Sequence, residues 1–586
     1  MKLTKTHLIL IAIFALAFLV RLYSAAHVDI GSDEIIYSLI PLNIIDAQRL
    51  STVEQAPVYF YLTDLSYKIF GNLTLTSTRF ASILFGAAAT ILLYLFTLKI
   101  FNNKNTALFS SFLFALSGYA IRYNQEMDMT AFFLALLSMY FFLYVLENKP
   151  KYLYLSLGTL ALATLVKPIV LLLLPAYFII WFWHGCNNHQ GLIYKKENKI
   201  TFNPHILKTL LLSILLCIII VAPVLTYNYL LYKEKGITDY YFTVLAGIGN
   251  NQIYKGQEAE LWTISRTFTI TGIIFKFLLK YDALLLILGL IGIPLAIQKN
   301  RMASLFLLLC LLIYPLYLLG KMSSATHYVW IPLLLSIFAG YALSTITQKY
   351  QQFIKPKHIF AFLCLILLFT SSITLYNISK LKQNSIQNLL NEYAVDNLPD
   401  NAIIVVDPRV YRGIYTWALS DKHYLEGTYF PQLTNNLDKL PGPTQTLPIY
   451  YIECGPGKTC GWKPEDYQRI SDYGIQLSQS LTPNMKLIKQ LQTADTLNIY
   501  QSTINVPLSI YEPIDRTHTH WYTPIGWKYT DQAIDNYTPK TLFDKTLNAL
   551  SYLILYLDVL LALLSILYVF YLLFKENKTE HNQNKK

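Results

Sequence analysis

Long apolar stretches recur along the chain, separated by short polar or basic links. The first runs from Leu8 to Val20. Others run from Phe80 to Leu98, Thr106 to Ile121, Met129 to Leu146, Tyr152 to Val166, Pro168 to Trp183 and Leu207 to Leu225. The rest are Ala283 to Ile297, Met302 to Leu319, Tyr328 to Ile346, Ile359 to Leu375 and Tyr552 to Phe574. Twelve candidate membrane helices result. Several fall short of the roughly 20 residues that cross about 30 Å of hydrocarbon, so flanking Tyr, Trp and Lys are expected to complete them at the interfaces. The first run follows a basic start, MKLTK, and has no small-residue cleavage signature, so it is expected to be a retained span.

Composition agrees with this pattern. The 586 residues are 54% hydrophobic and 14% charged, with a mean hydropathy of +0.38, more apolar surface than one water-soluble core can hide. The charge orients the spans. Lys2, Lys5, Lys99, Lys104, Lys149, Lys151, Lys195, Lys196, Lys199, Lys299, Arg301, Lys349, Lys355, Lys357 and the tail Lys575 to Lys586 fall on one side when twelve spans are threaded alternately. That side is expected to be cytoplasmic, with both termini on it, in the cell membrane. This bias accounts for most of the net charge of +12, so no nucleic-acid partner is needed.

The opposite side receives Ala26 to Arg79, the stretch RYNQEMD, the turn at Lys167, Tyr227 to Asp282, the turn GKMSSATHY, and the long segment Asn377 to Leu550. In that segment AIIVVDP, IYYIEC and TLNIY read as strands and YRGIYTWAL has helical spacing, which predicts a small mixed α/β domain. The expected division is a transmembrane module over 1–376, an extracytoplasmic domain over 377–550, and a last helix with a basic tail over 551–586. Cys454 and Cys460 flank the Gly- and Pro-containing loop ECGPGKTCG. A local disulfide fits an extracytoplasmic site better than a metal pair, because two thiols alone do not fill a tetrahedral zinc shell.

Candidate chemistry concentrates in the first external loop, HVDIGSDEIIYSLI, which carries His27, Asp29, Asp33, Glu34 and Tyr37. An acid beside an apolar wall can have a raised pKa and act as a base; equally, Asp and Glu are common as helix-start residues. Further on, Pro57 to Phe70 is too short and mixed to span and predicts an aromatic helix along the external membrane surface, with Glu54 at its start.

These residues resemble the GT-C membrane glycosyltransferases, in particular the protein O-mannosyltransferase and aminoarabinose-transferase superfamily. The resemblance rests on SDEIIYSL, then Glu54, Ala56 and Pro57, then Arg122 and Asp128 in RYNQEMDMTAFF, Lys167 and Pro168 in LATLVKPIVLLLLP, and HYVWIPLLLSIFAGYAL. It covers about the first 350 residues. It departs from the family at Gln55 and Ala56, where a basic residue and paired prolines are frequent.

The resemblance implies a GT-C type fold, a polytopic α-helical membrane protein of about 12 transmembrane helices with an extracytoplasmic mixed α/β domain before the last one. It implies transfer of a sugar, with inversion, from a polyprenyl-phosphate-linked donor to an extracytoplasmic acceptor that is protein, lipid or glycan. Asp33 is then the expected base, with Glu34 and Glu54 orienting the acceptor or sharing the proton. Arg122, Lys167, Lys321 and His327 are the expected phosphate contacts, with Asp128 ordering Arg122 or acceptor atoms and Tyr328 beside them. On position alone, headgroup snorkelling explains Arg122, Lys321 and His327 equally well, whereas Lys167 separates two short apolar runs, where an ionisable group is costly unless paired. No metal ligand set stands out; a divalent cation shared by Asp29, Asp33 and Asp128 is compatible with their chemistry, although their spacing is not diagnostic. Two other classes fit a chain of this layout: a secondary transporter, against which stand the long first loop and the large external domain, and a noncatalytic membrane scaffold.

Overall fold

The structure is a computed structural model. It describes residues 4–583 apart from 42–43, 47, 53–55, 72, 189–192, 197–198, 246, 250–262, 320–323, 350–355, 438–441, 463 and 509–536. The chain divides into two compact units: Met1–Ala26, Gln48–Tyr376 and Tyr537–Lys586 form the first, and His27–Ala47 with Asn377–Asn536 the second.

The first unit is helical, and every apolar run lies in helical structure within it. Among the described residues, eight helices are long and apolar enough to cross a membrane, which makes the protein multi-pass. Three further apolar helices, Tyr152–Thr164, Pro168–His184 and Arg301–Leu316, are shorter. Leu75–Phe101 and Asp128–Leu146 are buried on all sides, as expected of helices that are apolar all round and central to a bundle. Pro204–Lys235 instead turns Leu211, Leu215, Ile218 and Ile219 outward, as a lipid-facing helix does.

Close helix packing needs small residues at the crossings. A Cβ on Gly292 would lie 2.0 Å from the Phe338 carbonyl oxygen, and one on Gly340 would lie 2.1 Å from the Ser110 hydroxyl. The helix Trp330–Lys349 is thereby clamped on two faces.

Two spans differ from the sequence pattern. The run Thr106 to Ile121 is two helices, Lys104–Ala115 and Gly118–Tyr123. The break has a cause at each end. Arg21, fully buried, donates to the carbonyls of Phe114 (3.2 Å) and Ala115 (3.1 Å) at the end of one helix. Asp282 accepts from the Ser117 hydroxyl (2.5 Å) and from the N–H groups of Gly118 (2.9 Å) and Tyr119 (3.2 Å) at the start of the next. A cation on the carbonyl end and an anion on the amide end satisfy the orphan groups of both termini. The second difference is Ile264–Lys299, which reaches back into the expected loop Tyr227 to Asp282. Its one residue with non-helical dihedrals is Asp282, at φ −141° and ψ 36°.

The aromatic helix has its expected bounds, Pro57–Phe70. Proline supplies the pre-set first position, and Gly71, at φ 68°, the left-handed stop. Its tyrosines are tied down: Tyr59 to the Ser82 hydroxyl (3.2 Å), Tyr61 to the Arg49 carbonyl (2.7 Å) and Tyr67 to the Thr78 hydroxyl (3.1 Å).

The second unit is a mixed α/β domain on a five-stranded sheet in the order His423–Glu426, Ile403–Val406, Thr444–Cys454, Thr496–Pro507, Lys486–Gln492. The first three strands are parallel and the last two join antiparallel. Ile403–Val406 is wholly buried because alternate side chains feed separate cores, Ile404 and Val406 one, Ile403 and Val405 the other. Cys454, ending its strand, forms a disulfide with Cys460 across a Cα separation of 6.0 Å.

Candidate functional site

Three elements of the first unit bring charged side chains together inside the bundle. Helix Tyr152–Thr164 stops ahead of Lys167 and Pro168. A residue before proline is pushed to extended backbone, and Lys167 has φ −148° and ψ 105°. Asp128 opens helix Asp128–Leu146, and His327 sits in the 3-10 turn Ala325–Val329.

The Lys167 ammonium donates to both carboxylate oxygens of Asp128, at 2.7 Å each. His327 Nδ1 lies 2.9 Å from the ammonium and 3.0 Å from Asp128 Oδ1. One nitrogen serves one of these, as lone-pair acceptor from lysine or as N–H donor to the carboxylate. All three residues are at least nine-tenths buried. An ammonium in such a place is stable only when paired, and Asp128 supplies the partner.

The turn before Asp128 is braced from several helices. Ser82 donates to the Glu126 carbonyl (2.6 Å), and Asn124 donates to the Ser82 carbonyl (2.9 Å). Gln125 donates to the Ser24 hydroxyl (3.2 Å), Thr326 to the Glu126 carboxylate (3.1 Å), and Tyr119 to the Ala325 carbonyl (2.8 Å). The last two bonds tie the turn and helix Gly118–Tyr123 to the segment that carries His327.

Asp128 does not order Arg122, as the sequence had suggested; its oxygens are engaged by Lys167 and His327. Arg122 is half-buried, and its guanidinium lies 5.4 Å from the centre of the Tyr123 ring. Tyr328 is fully buried next to His327. The aromatic helix reaches the same break through backbone alone, the Val58 N–H donating to the Leu165 carbonyl at 3.0 Å.

The acidic pair belongs to the second unit. Asp33 stands in the first turn of helix Ser32–Leu39, and its side chain lies outside the described part. Glu34 is buried and accepts from the Gly31 N–H at 3.2 Å, the reach-back bond of a helix-capping acid. Asp29 is exposed. Glu54 and Lys321 lie outside the described residues.

The sequence reading missed Gln387, whose side-chain amide brackets Ile30. It also missed Arg21 and Asp282, which carried a legible signal as ionisable residues at or within apolar runs. Among the described residues no group of three His, Cys, Asp or Glu could hold a metal ion. The Asp128 and His327 pair does not fit one either, since the Lys167 ammonium occupies the face that a cation would take.

Residues 54–227 match the family model described as dolichyl-phosphate-mannose-protein mannosyltransferase, a stretch holding Arg122, Asp128 and Lys167. No curated protein matches the chain in sequence. In fold, the chain is similar to ArnT from Cupriavidus metallidurans bound to undecaprenyl phosphate, with TM-score 0.53 and 14% identity over 84% of this chain and 97% of that one. The apo state of the same protein gives TM-score 0.53 at 12% identity, with the same coverage. A fainter likeness, TM-score 0.45 at 14% identity over 88% of this chain and 77% of that one, is to the Archaeoglobus fulgidus oligosaccharyltransferase tethered with an acceptor peptide. The family model covers less than half of the chain, and what the chain shares with ArnT is the fold.

Proposed function

We propose that this protein is a glycosyltransferase that moves a sugar from a polyprenyl-phosphate carrier to an acceptor on the extracytoplasmic side of the cell membrane. The observation that carries this reading is the Lys167 and Asp128 ion pair, enclosed in the bundle at a helix break and within the stretch that matches the mannosyltransferase family model. Ionisable groups are expensive in such a place and mark function by default. The fold shared with a protein crystallised with undecaprenyl phosphate supports a lipid-phosphate donor.

In the reaction, the acceptor hydroxyl or amine attacks the anomeric carbon from the side opposite the phosphate. The new bond to C1 forms as the C1–O bond to phosphate breaks, which inverts the configuration, and polyprenyl phosphate leaves with the bonding pair. Asp33, assigned from motif order, takes the acceptor's proton. Glu54, assigned likewise, orients the acceptor. Arg122, whose guanidinium has no carboxylate partner among the described residues, supplies a fixed fork for the departing phosphate.

The test is incubation of the purified full chain with a panel of polyprenyl-phosphate sugars and membrane acceptors, followed by mass analysis. Transfer by the wild type and its loss in Asp33→Asn at normal expression support the reading. Movement of free solute across vesicles without product would replace it with transport.

A further inference from the structure

Ser82, fully buried on helix Leu75–Phe101, has one hydroxyl proton and two oxygen neighbours. Its oxygen lies 2.6 Å from the Glu126 carbonyl oxygen and 3.2 Å from the Tyr59 hydroxyl. A carbonyl oxygen only accepts, so the serine proton points at Glu126 and the Tyr59 hydroxyl donates to the serine oxygen. The bonds form a directed relay from Tyr59 through Ser82 to Glu126, and all three residues are buried.

The relay ends two residues ahead of Asp128. One position before Tyr59, the Val58 N–H donates to the Leu165 carbonyl at 3.0 Å, two residues ahead of Lys167. Adjacent residues in the first turn of helix Pro57–Phe70 therefore grip both chain segments that meet in the ion pair, one through a side chain and the other through backbone.

Helix Leu75–Phe101 gives the side-chain grip a stiff support. The Ser82 carbonyl accepts from the Asn124 amide at 2.9 Å, and a Cβ on Gly86 would lie 2.3 Å from Asn124 Oδ1. The helix thus lies directly against the turn that leads to Asp128. Glu54, the acid assigned to the acceptor, precedes Pro57 by three residues in the chain. The start of the aromatic helix is where the acceptor side of the reaction joins the ion pair.

Resting on the glycosyl-transfer reading, we propose that Tyr59 and Ser82 are positioning residues. Their relay fixes the start of the aromatic helix against the Asp128 and Lys167 pair, and through it the presentation of the acceptor by Glu54.

Tyr59→Phe and Ser82→Ala each remove one hydroxyl of the relay, and the double variant removes both. Steady-state kinetics of the purified full chain, with donor and acceptor varied in turn, separate the two KM values. The expected result is an acceptor KM raised about fivefold in each single variant, with donor KM unchanged. The double variant should be no worse than Ser82→Ala alone, because the two hydroxyls act in series. A bond that only added stability would lower the active fraction and so the apparent kcat, with both KM values intact. That outcome, or additive losses in the double variant, would overturn the assignment. If one single variant does not fold, the other carries the same test from its own end of the relay. Hydrogen exchange supplies a readout independent of turnover: the Val58 amide should exchange faster in Tyr59→Phe, and unchanged exchange would overturn the coupling of the two grips. A wild type that transfers no lipid-linked sugar fails the transfer reading itself, whereas wild-type turnover with an unchanged acceptor KM in the variants fails only this inference.

Discussion

The side-chain amide of Gln387 brackets the backbone of Ile30: it accepts from the Ile30 N–H at 3.0 Å and donates to the Ile30 carbonyl at 3.2 Å. It donates to the Gly413 carbonyl as well. One residue of helix Ile386–Asn397 therefore fixes the backbone just ahead of the helix that carries Asp33 and Glu34. Gln387→Leu leaves both Ile30 groups without a partner, at about 1–3 kcal/mol. The expected outcome is faster hydrogen exchange at the Ile30 and Gly31 amides and slower sugar transfer. Unchanged exchange there would show that the bracket does not hold the segment.

Removing one member of the Lys167 and Asp128 pair is expected to do more harm than removing both. Lys167→Met leaves a carboxylate buried with His327 as its remaining neighbour, and loss of one partner of a buried pair costs about 3–5 kcal/mol. The double variant Lys167→Met with Asp128→Leu replaces the pair by apolar volume and is expected to regain most of the thermal stability in detergent. Transfer should stay absent in both. A double variant that regained activity would reduce the pair to a structural role.

Legibility in the sequence followed the range of the interaction. The spans were readable because a membrane helix needs only its own apolar run, and the sheet because Ile403–Val406 and Thr444–Cys454 are locally strand-like. Lys167 stood out because an ammonium between two apolar runs has no cheap explanation. The break at Ser117 was hidden: Phe114 to Gly118 reads as continuous helix, and the acid that interrupts it lies 165 residues further along the chain. Gln387 was hidden for the same reason, sitting 357 residues from its partner on a helix whose sequence says nothing of Ile30.

The disulfide Cys454–Cys460 closes a short loop at the end of the central strand, and its constraint on the unfolded chain is worth about 2 kcal/mol for so small a ring. The pair Cys454→Ser and Cys460→Ser is expected to lower the unfolding midpoint of the full chain in detergent and to abolish its sensitivity to reducing agent. Because the Tyr411 N–H donates to the Cys460 carbonyl at 2.9 Å, exchange at the Tyr411 amide should rise as well. A midpoint equal to wild type would show that the loop is held by its backbone bonds alone.

Asp282 caps helix Gly118–Tyr123 with three hydrogen bonds, while Arg21 takes the last carbonyls of Lys104–Ala115, so each should fail in its own way. Asp282→Asn keeps one oxygen as acceptor and should destabilise modestly, by about 1 kcal/mol; Asp282→Ala removes every acceptor and should cost about 2–3 kcal/mol. Arg21→Leu leaves the Phe114 and Ala115 carbonyls without their donor and should cost about as much as Asp282→Ala. The break precedes helix Gly118–Tyr123, whose Tyr119 hydroxyl is bonded to Ala325 next to the His327 turn. Loosening it should therefore lower transfer before it unfolds the protein. Thermal unfolding and transfer assays on the three variants check this ordering, and Asp282→Asn falling as far as Asp282→Ala would show that the charge, rather than the cap, is what the break requires.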